Sequence, residues 1–334
     1  MAQLRYIVFF FLSVIIFHQA NAQQVKLLSS GTKTSLRGLC PVSKEIIWAS
    51  GSNGYVGLSK DGGITWFWSQ VEGYEKSEFR DIEAFDGNTA LIMGITEPAV
   101  ILRTVDAGKT WRRCFTDTMH AAFFDAMEFW NLKAGILIGD PVDGRIYIAR
   151  TFDGGKTWKA LAPEYRPIVD SGEACFASSG TNIRKLTKQE AVFITGGKSS
   201  RLFMRDEKIR LPLLQGKETT GANSIAVKNK NYFVVVGGDF MRKDDTTGVC
   251  VYTSDAGKTW QVPEVTCHGY RSCIEYVSDK TWIACGLNGI DISQDDAKHF
   301  RKISEEGFHV CRKAKDGKKV FFAGSNGRIA VMEL

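Results

Sequence analysis

The chain of 334 residues carries 43 Lys and Arg against 37 Asp and Glu, with 44% hydrophobic side chains and 33 glycines. That balance is ordinary for a globular protein, and no long polar tract reads as disorder. A net charge of +6, with no basic block interleaved with aromatics, argues against nucleic acid as a partner.

Residues 1–22 read as an export signal. Arg5 precedes an apolar run from Tyr6 to Phe17, and the segment ends small-x-small at Ala20-Asn21-Ala22, placing cleavage after Ala22. The run falls short of the ~20 residues a spanning helix needs, and no later stretch is longer, so stable membrane insertion is not expected. Gln23, not a lipid-accepting cysteine, follows the cleavage point. The mature chain, 23–334, is expected in the periplasm or outside the cell.

From there the chain repeats itself. Short β-rich runs, "SLRGLC", "EIIWASG" and "GYVGLS", lead to the box "LSKDGGITW" and then to "WFWSQV". The box returns as "RTVDAGKTW", "TFDGGKTW" and "YTSDAGKTW", and eroded as "ISQDDAKHF". Its aspartates are Asp61, Asp106, Asp153, Asp255 and Asp295; its tryptophans are Trp66, Trp111, Trp158 and Trp260, with Phe300 in the last copy. The spacing is roughly 40–50 residues, doubled between Asp153 and Asp255, which marks one repeat that has lost its box. Repeats start near Leu36, Phe79, Phe123, Ala174, Asn223, Tyr270 and Phe308. Four short strands per repeat make a propeller blade, so the expectation is an all-β, seven-bladed β-propeller with four-stranded antiparallel blades. The irregular fourth repeat leaves six or eight blades as alternatives. The last repeat stops at "GRIAVMEL" one strand short, and the mature N-terminal stretch "QQVKLLSSG" is placed to supply it.

Each box falls between the third and fourth strands. Asp accepts backbone N–H groups in such a turn, Gly permits positive φ, and Trp can pack between blades. Every requirement is structural. The eight cysteines all lie beyond residue 22, and Cys267, Cys273, Cys285 and Cys311 come late. No C-x-x-C spacing occurs, and His120, His268, His299 and His309 are not paired at ligand spacing, so no metal is expected. Disulfide pairing stays open. With no G-x-G-x-x-G after a strand and no haem C-x-x-C-H, no cofactor is expected either.

The boxes resemble the Asp-box, or BNR, repeats of the sialidase-like superfamily. "LIGDPVDGRIYIARTFDGGKTW", "GEACFASSGTNI" and "VVVGGDF" resemble exported propellers related to the photosystem II stability/assembly factor family. The resemblance spans the mature chain and implies a propeller with a partner-binding role and no settled activity.

Function is then sought on the face away from the boxes. Arg37, Arg80 and Arg271 hold corresponding places at the starts of innermost strands, with His309 in the seventh. Blades six, seven, one and two adjoin in a closed ring, so these four residues are expected to form a basic arc, suited to a carboxylate or phosphate because guanidinium groups bind both bidentately. Loops between second and third strands add Glu97, Asp140 and Asp239, and Glu173 is placed at the same mouth. The bland reading pairs each arginine with a neighbour, such as Arg80 with Asp81 or Glu78. The reading is a non-enzymatic binding or assembly propeller for a protein partner or a small acidic or carbohydrate ligand. The alternative is a sialidase-like glycoside hydrolase, which would use three arginines but lacks the expected Arg-Ile-Pro near its start. An oxidoreductase ranks below both. The oligomeric state does not follow from the sequence.

Overall fold

The structure, a computed structural model, describes residues 24–28, 30–95, 98–117 and 122–334. The signal segment, Glu97 and His120 lie outside the described residues. Runs of four to six residues between glycine turns can only meander, and each repeat does so. In blade one, Leu36–Pro41, Ile47–Gly51, Tyr55–Ser59 and Phe67–Gln70 pair antiparallel in chain order. The described residues make seven antiparallel sheets, six of four strands and one, that of blade five, of five; the architecture is the seven-bladed one expected. The innermost strands are Leu36–Pro41, Phe79–Ala84, Phe124–Phe129, Ile183–Lys185, Thr220–Val227, Cys273–Ser278 and Val310–Lys313. Lys26–Leu28 lies antiparallel to Ile329–Glu333, completing the sheet of the seventh blade.

The fourth blade departs from expectation. Its innermost strand is Ile183–Lys185, not the stretch at Ala174. Glu173–Ala174 instead pairs with Gly196–Gly197, which bridges onward into the sheet of blade five. The lost box is there a tight hairpin, Met204 to Glu207, with Arg205 at φ 56°.

A blade buries its faces only against its neighbours, so the core is a set of apolar layers between sheets. Trp48, Val56 and Leu58 of blade one meet Phe79, Ile82, Ile92 and Leu102 of blade two. The box tryptophans feed these layers: Trp66, Trp111, Trp158 and Trp260 each join the cluster shared with the preceding blade. Trp111 meets Trp48 edge-on at 6.4 Å.

The turn itself is self-contained. Asp106 accepts from the Thr110 amide (3.0 Å), the Thr110 hydroxyl (2.6 Å) and the Thr104 hydroxyl (2.7 Å), while Gly108 N donates to Thr104 Oγ1 at 3.0 Å. Asp61, Asp153 and Asp255 repeat the pattern. The Thr110 and Thr259 side-chain hydrogen bonds, followed by backbone ones, hold Asp106 and Asp255 down at about 2. In the eroded copy, His299 takes the threonine's place, its Nδ1 at 2.6 Å from Asp295 Oδ2.

Candidate functional site

Each box hairpin leaves the far end of a third strand, so the opposite mouth belongs to the starts of the innermost strands. There the pairing register slips by one residue in blades one, two, three and five, between Leu36/Gly38, Phe79/Asp81, Phe124/Ala126 and Ala222/Ser224. The slip leaves Arg37, Arg80, Asp125 and Asn223 out of the ladder, and such bulges re-aim side chains. In blades six and seven the same level is held by Ser272 and His309, one residue beyond Arg271 and Phe308, whose backbones lie against Gly286 and Gly324.

Five of these side chains, Arg37, Arg80, Asn223, Ser272 and His309, line one pocket of about 380 Å³, together with Asp140, Phe176, Phe240, Tyr270 and Leu287. Its polar groups are poorly satisfied from within. Arg37 Nη1 donates to Ser178 O at 3.3 Å. Arg80 Nε is buried and without a partner. Asp81 does not serve it: that carboxylate accepts from the amides of Ile82 (2.8 Å) and Met127 (2.7 Å), stapling blade two to blade three. Among the described residues neither arginine is in an ion pair.

Beneath the arginines lies an acid that sequence reading passed over. Asp125 is fully buried, and neither carboxyl oxygen has a hydrogen-bond partner. Burial first, and then Asp140, raise its pKa well above the usual carboxylate value. Burial lifts Asp140 to about 6, against the pull of the Cys175 amide, which donates to it at 2.9 Å. His309 is neutral: burial, then Arg37, push it down to about 3. Its Nε2 lies 2.8 Å from Ser325 Oγ, and its Nδ1 is buried with no partner. The expected basic arc is thus two guanidiniums beside a neutral imidazole.

Three expected site residues are elsewhere. Arg271 is completely buried, with Nε at 2.7 Å from Asp291 and Nη1 at 2.5 Å from Asn288. It sits at the core position that Phe79 fills in blade two, and Ser272 takes the mouth position. Glu173 is buried against Arg201 (2.8 Å) and Thr195 (2.5 Å) because its segment belongs to the irregular fourth repeat. Asp239 caps its own loop, accepting from Met241 N at 3.0 Å and Arg242 Nε at 3.1 Å. With Arg271 withdrawn, the pocket has two of the three arginines a sialidase would need.

Three residues further along the inner strands, a second ring occupies the other end of the channel: Cys40, Glu83, Glu128, Arg184, Ala226, Glu275 and Arg312. Here charges pair off. Arg184 reaches Glu128 (3.8 Å) and Glu275 (3.5 Å), and Arg312 reaches Glu83 (3.7 Å). The inner ring forms ion pairs of its own, although Glu128 Oε2 and Arg184 Nη2 make no hydrogen bond; among the described residues the mouth arginines form none. Charge left unpaired beside a cavity is the mark of a site that an outside group completes.

Fold and site together define a seven-bladed propeller with a polar pocket at one mouth. Residues 19–164 match the family model described as photosynthesis system II assembly factor YCF48, and residues 204–304 match that of the Rax2 C-terminal beta propeller domain. A structure of YCF48 bound to D1 peptide superposes with TM-score 0.67 at 16% identity, covering 95% of this chain and 96% of that one. YCF48 from Cyanidioschyzon merolae gives the same score and identity over 92% and 98%. The WD40 propeller domain of Doa1 follows at 0.64 and 13%, over 92% and 97%. No curated protein matches significantly in sequence. The chain is thus similar to YCF48 over residues 19–164, and its fold as a whole is that of a seven-bladed propeller.

Proposed function

We propose that this chain is an exported binding or assembly propeller whose mouth pocket grips an anionic group on a protein partner. The observation that carries the reading is the convergence of Arg37 and Arg80, neither in an ion pair among the described residues, on a cavity of about 380 Å³. A carboxylate entering there would satisfy both guanidiniums, each charge-assisted bond contributing about 1.5–3 kcal/mol. The relative bound to D1 peptide supports a protein partner. The signal-like segment with its Ala20-Asn21-Ala22 ending supports export, and N-terminal sequencing of mature protein beginning at Gln23 would verify it.

The test is affinity capture from an extract of the source cells, comparing wild type with Arg37→Ala/Arg80→Ala. A partner retained by wild type should be lost or weakened at least ~tenfold in the double variant. Identical partner sets would overturn the reading. Asp140 sets the pH dependence. It is ionised above about 6 and repels an anion in the pocket, so capture should strengthen as pH falls from 7 to 5. Asp140→Asn should flatten that dependence.

A further inference from the structure

Away from the mouth, the fold brings together three cysteines that are distant in sequence. Cys273 and Cys285 face each other across the first two strands of blade six, and Cys311 lies on the innermost strand of blade seven. Their Sγ atoms all lie within 4.8 Å of one another, and all three residues are fully buried. The surroundings are apolar, with Leu36, Ile283, Ile290 and Val310 in the same core cluster. The nearby oxygens are neutral: the Thr181 hydroxyl, 3.6 Å from Cys273 Sγ, and the carbonyls of Cys311 (3.2 Å from Cys273 Sγ) and Ile283 (3.7 Å from Cys311 Sγ).

We propose that Cys273, Cys285 and Cys311 form a trigonal all-sulfur site for one soft monovalent cation, Cu(I), which clasps blade six to blade seven. Metal–sulfur bonds of about 2.3 Å in a plane require sulfurs about 4 Å apart, a contraction the present spacing permits. Zinc would want a fourth ligand, whereas thiolates with no imidazole or carboxylate beside them select a soft ion. Binding replaces S–H bonds by Cu–S bonds and releases the thiol protons to solvent, with no change in the metal's oxidation state.

The experiment titrates the reduced full chain anaerobically with Cu(I) against bathocuproine disulfonate, with X-ray absorption to count sulfur neighbours. The expected result is one Cu(I) per chain in a three-sulfur shell and a melting temperature raised by several degrees. Cys273→Ala, Cys285→Ala and Cys311→Ala should each abolish stoichiometric binding, while Cys40→Ala retains it. No retention by wild type, unchanged stoichiometry in a variant, or a Cys273–Cys285 disulfide in the isolated protein would overturn the proposal. Should a variant not fold, the wild-type sulfur count decides: three supports the site, fewer sinks it.

Discussion

At the scale of single residues, the box turns show how a short phrase specifies geometry through hydrogen bonds alone. Asp accepts from the residue four places on, and that residue must donate from both backbone and side chain. Threonine does so in four copies, and His299 in the eroded one. The substitution adds a titration. Asp295, first, and then Glu264 raise the His299 pKa above 6.5. A raised imidazole pKa means the fold binds the proton more tightly. The contact therefore contributes fully below about pH 6.5 and is lost as pH climbs through the folded value. His299→Thr should restore the common box and remove this dependence, so melting temperatures of wild type and variant should converge or cross between pH 6 and 9. A His299 pKa at or below 6.5 by NMR titration would contradict the account.

At the scale of strands, one residue of register decides which side chain is structure and which is site. Written one under another, "LRGL", "FRDI" and "YRSC" align three arginines. The bulge and the opposing glycine instead place Arg271 level with Phe79, and Ser272 level with Arg80. A buried guanidinium at a core position persists because Asp291 and Asn288 satisfy it. Arg271→Met should cost about 3–5 kcal/mol in chemical denaturation, since it takes the guanidinium from the buried Asp291 carboxylate and leaves it only its contacts with His268. Arg80→Met, which removes a group with no ion pair, should cost far less while weakening capture of the partner. If Arg271→Met unfolds no more readily than Arg80→Met, this assignment of roles is wrong. Asp125 escaped notice for the same reason: its equivalence to Arg80 lies in the pairing register and not in residue type.

At the scale of the whole molecule, stability comes from layers between blades, so the ring is only as firm as its last seam. Blade seven holds strands from distant parts of the chain, Lys26–Leu28 beside Ile329–Glu333. Without residues 24–28, Ile329–Glu333 becomes an open edge that invites pairing with another chain. Their deletion should lower the melting temperature by a few degrees or more and promote self-association, as read by calorimetry and light scattering. An unchanged, monomeric melt would show that the seam does not depend on this strand.

Length, glycine punctuation and the recurring box were enough by themselves to determine a ring of four-stranded blades and to favour seven, while the irregular fourth repeat left six or eight open until the sheets were seen. Period and turn chemistry are local properties, and each repeat states them again. The inner-strand start of blade four was not legible, because that repeat lost its box and borrowed Gly196–Gly197 for its neighbour's sheet. Arg37, Arg80, Asp140 and His309 could be placed at one mouth from the repeat alone. Which of them is charged, which stays unpaired, and which three cysteines meet were decided only in three dimensions. Burial and proximity across blades set those properties, and neither is written in spacing along a chain.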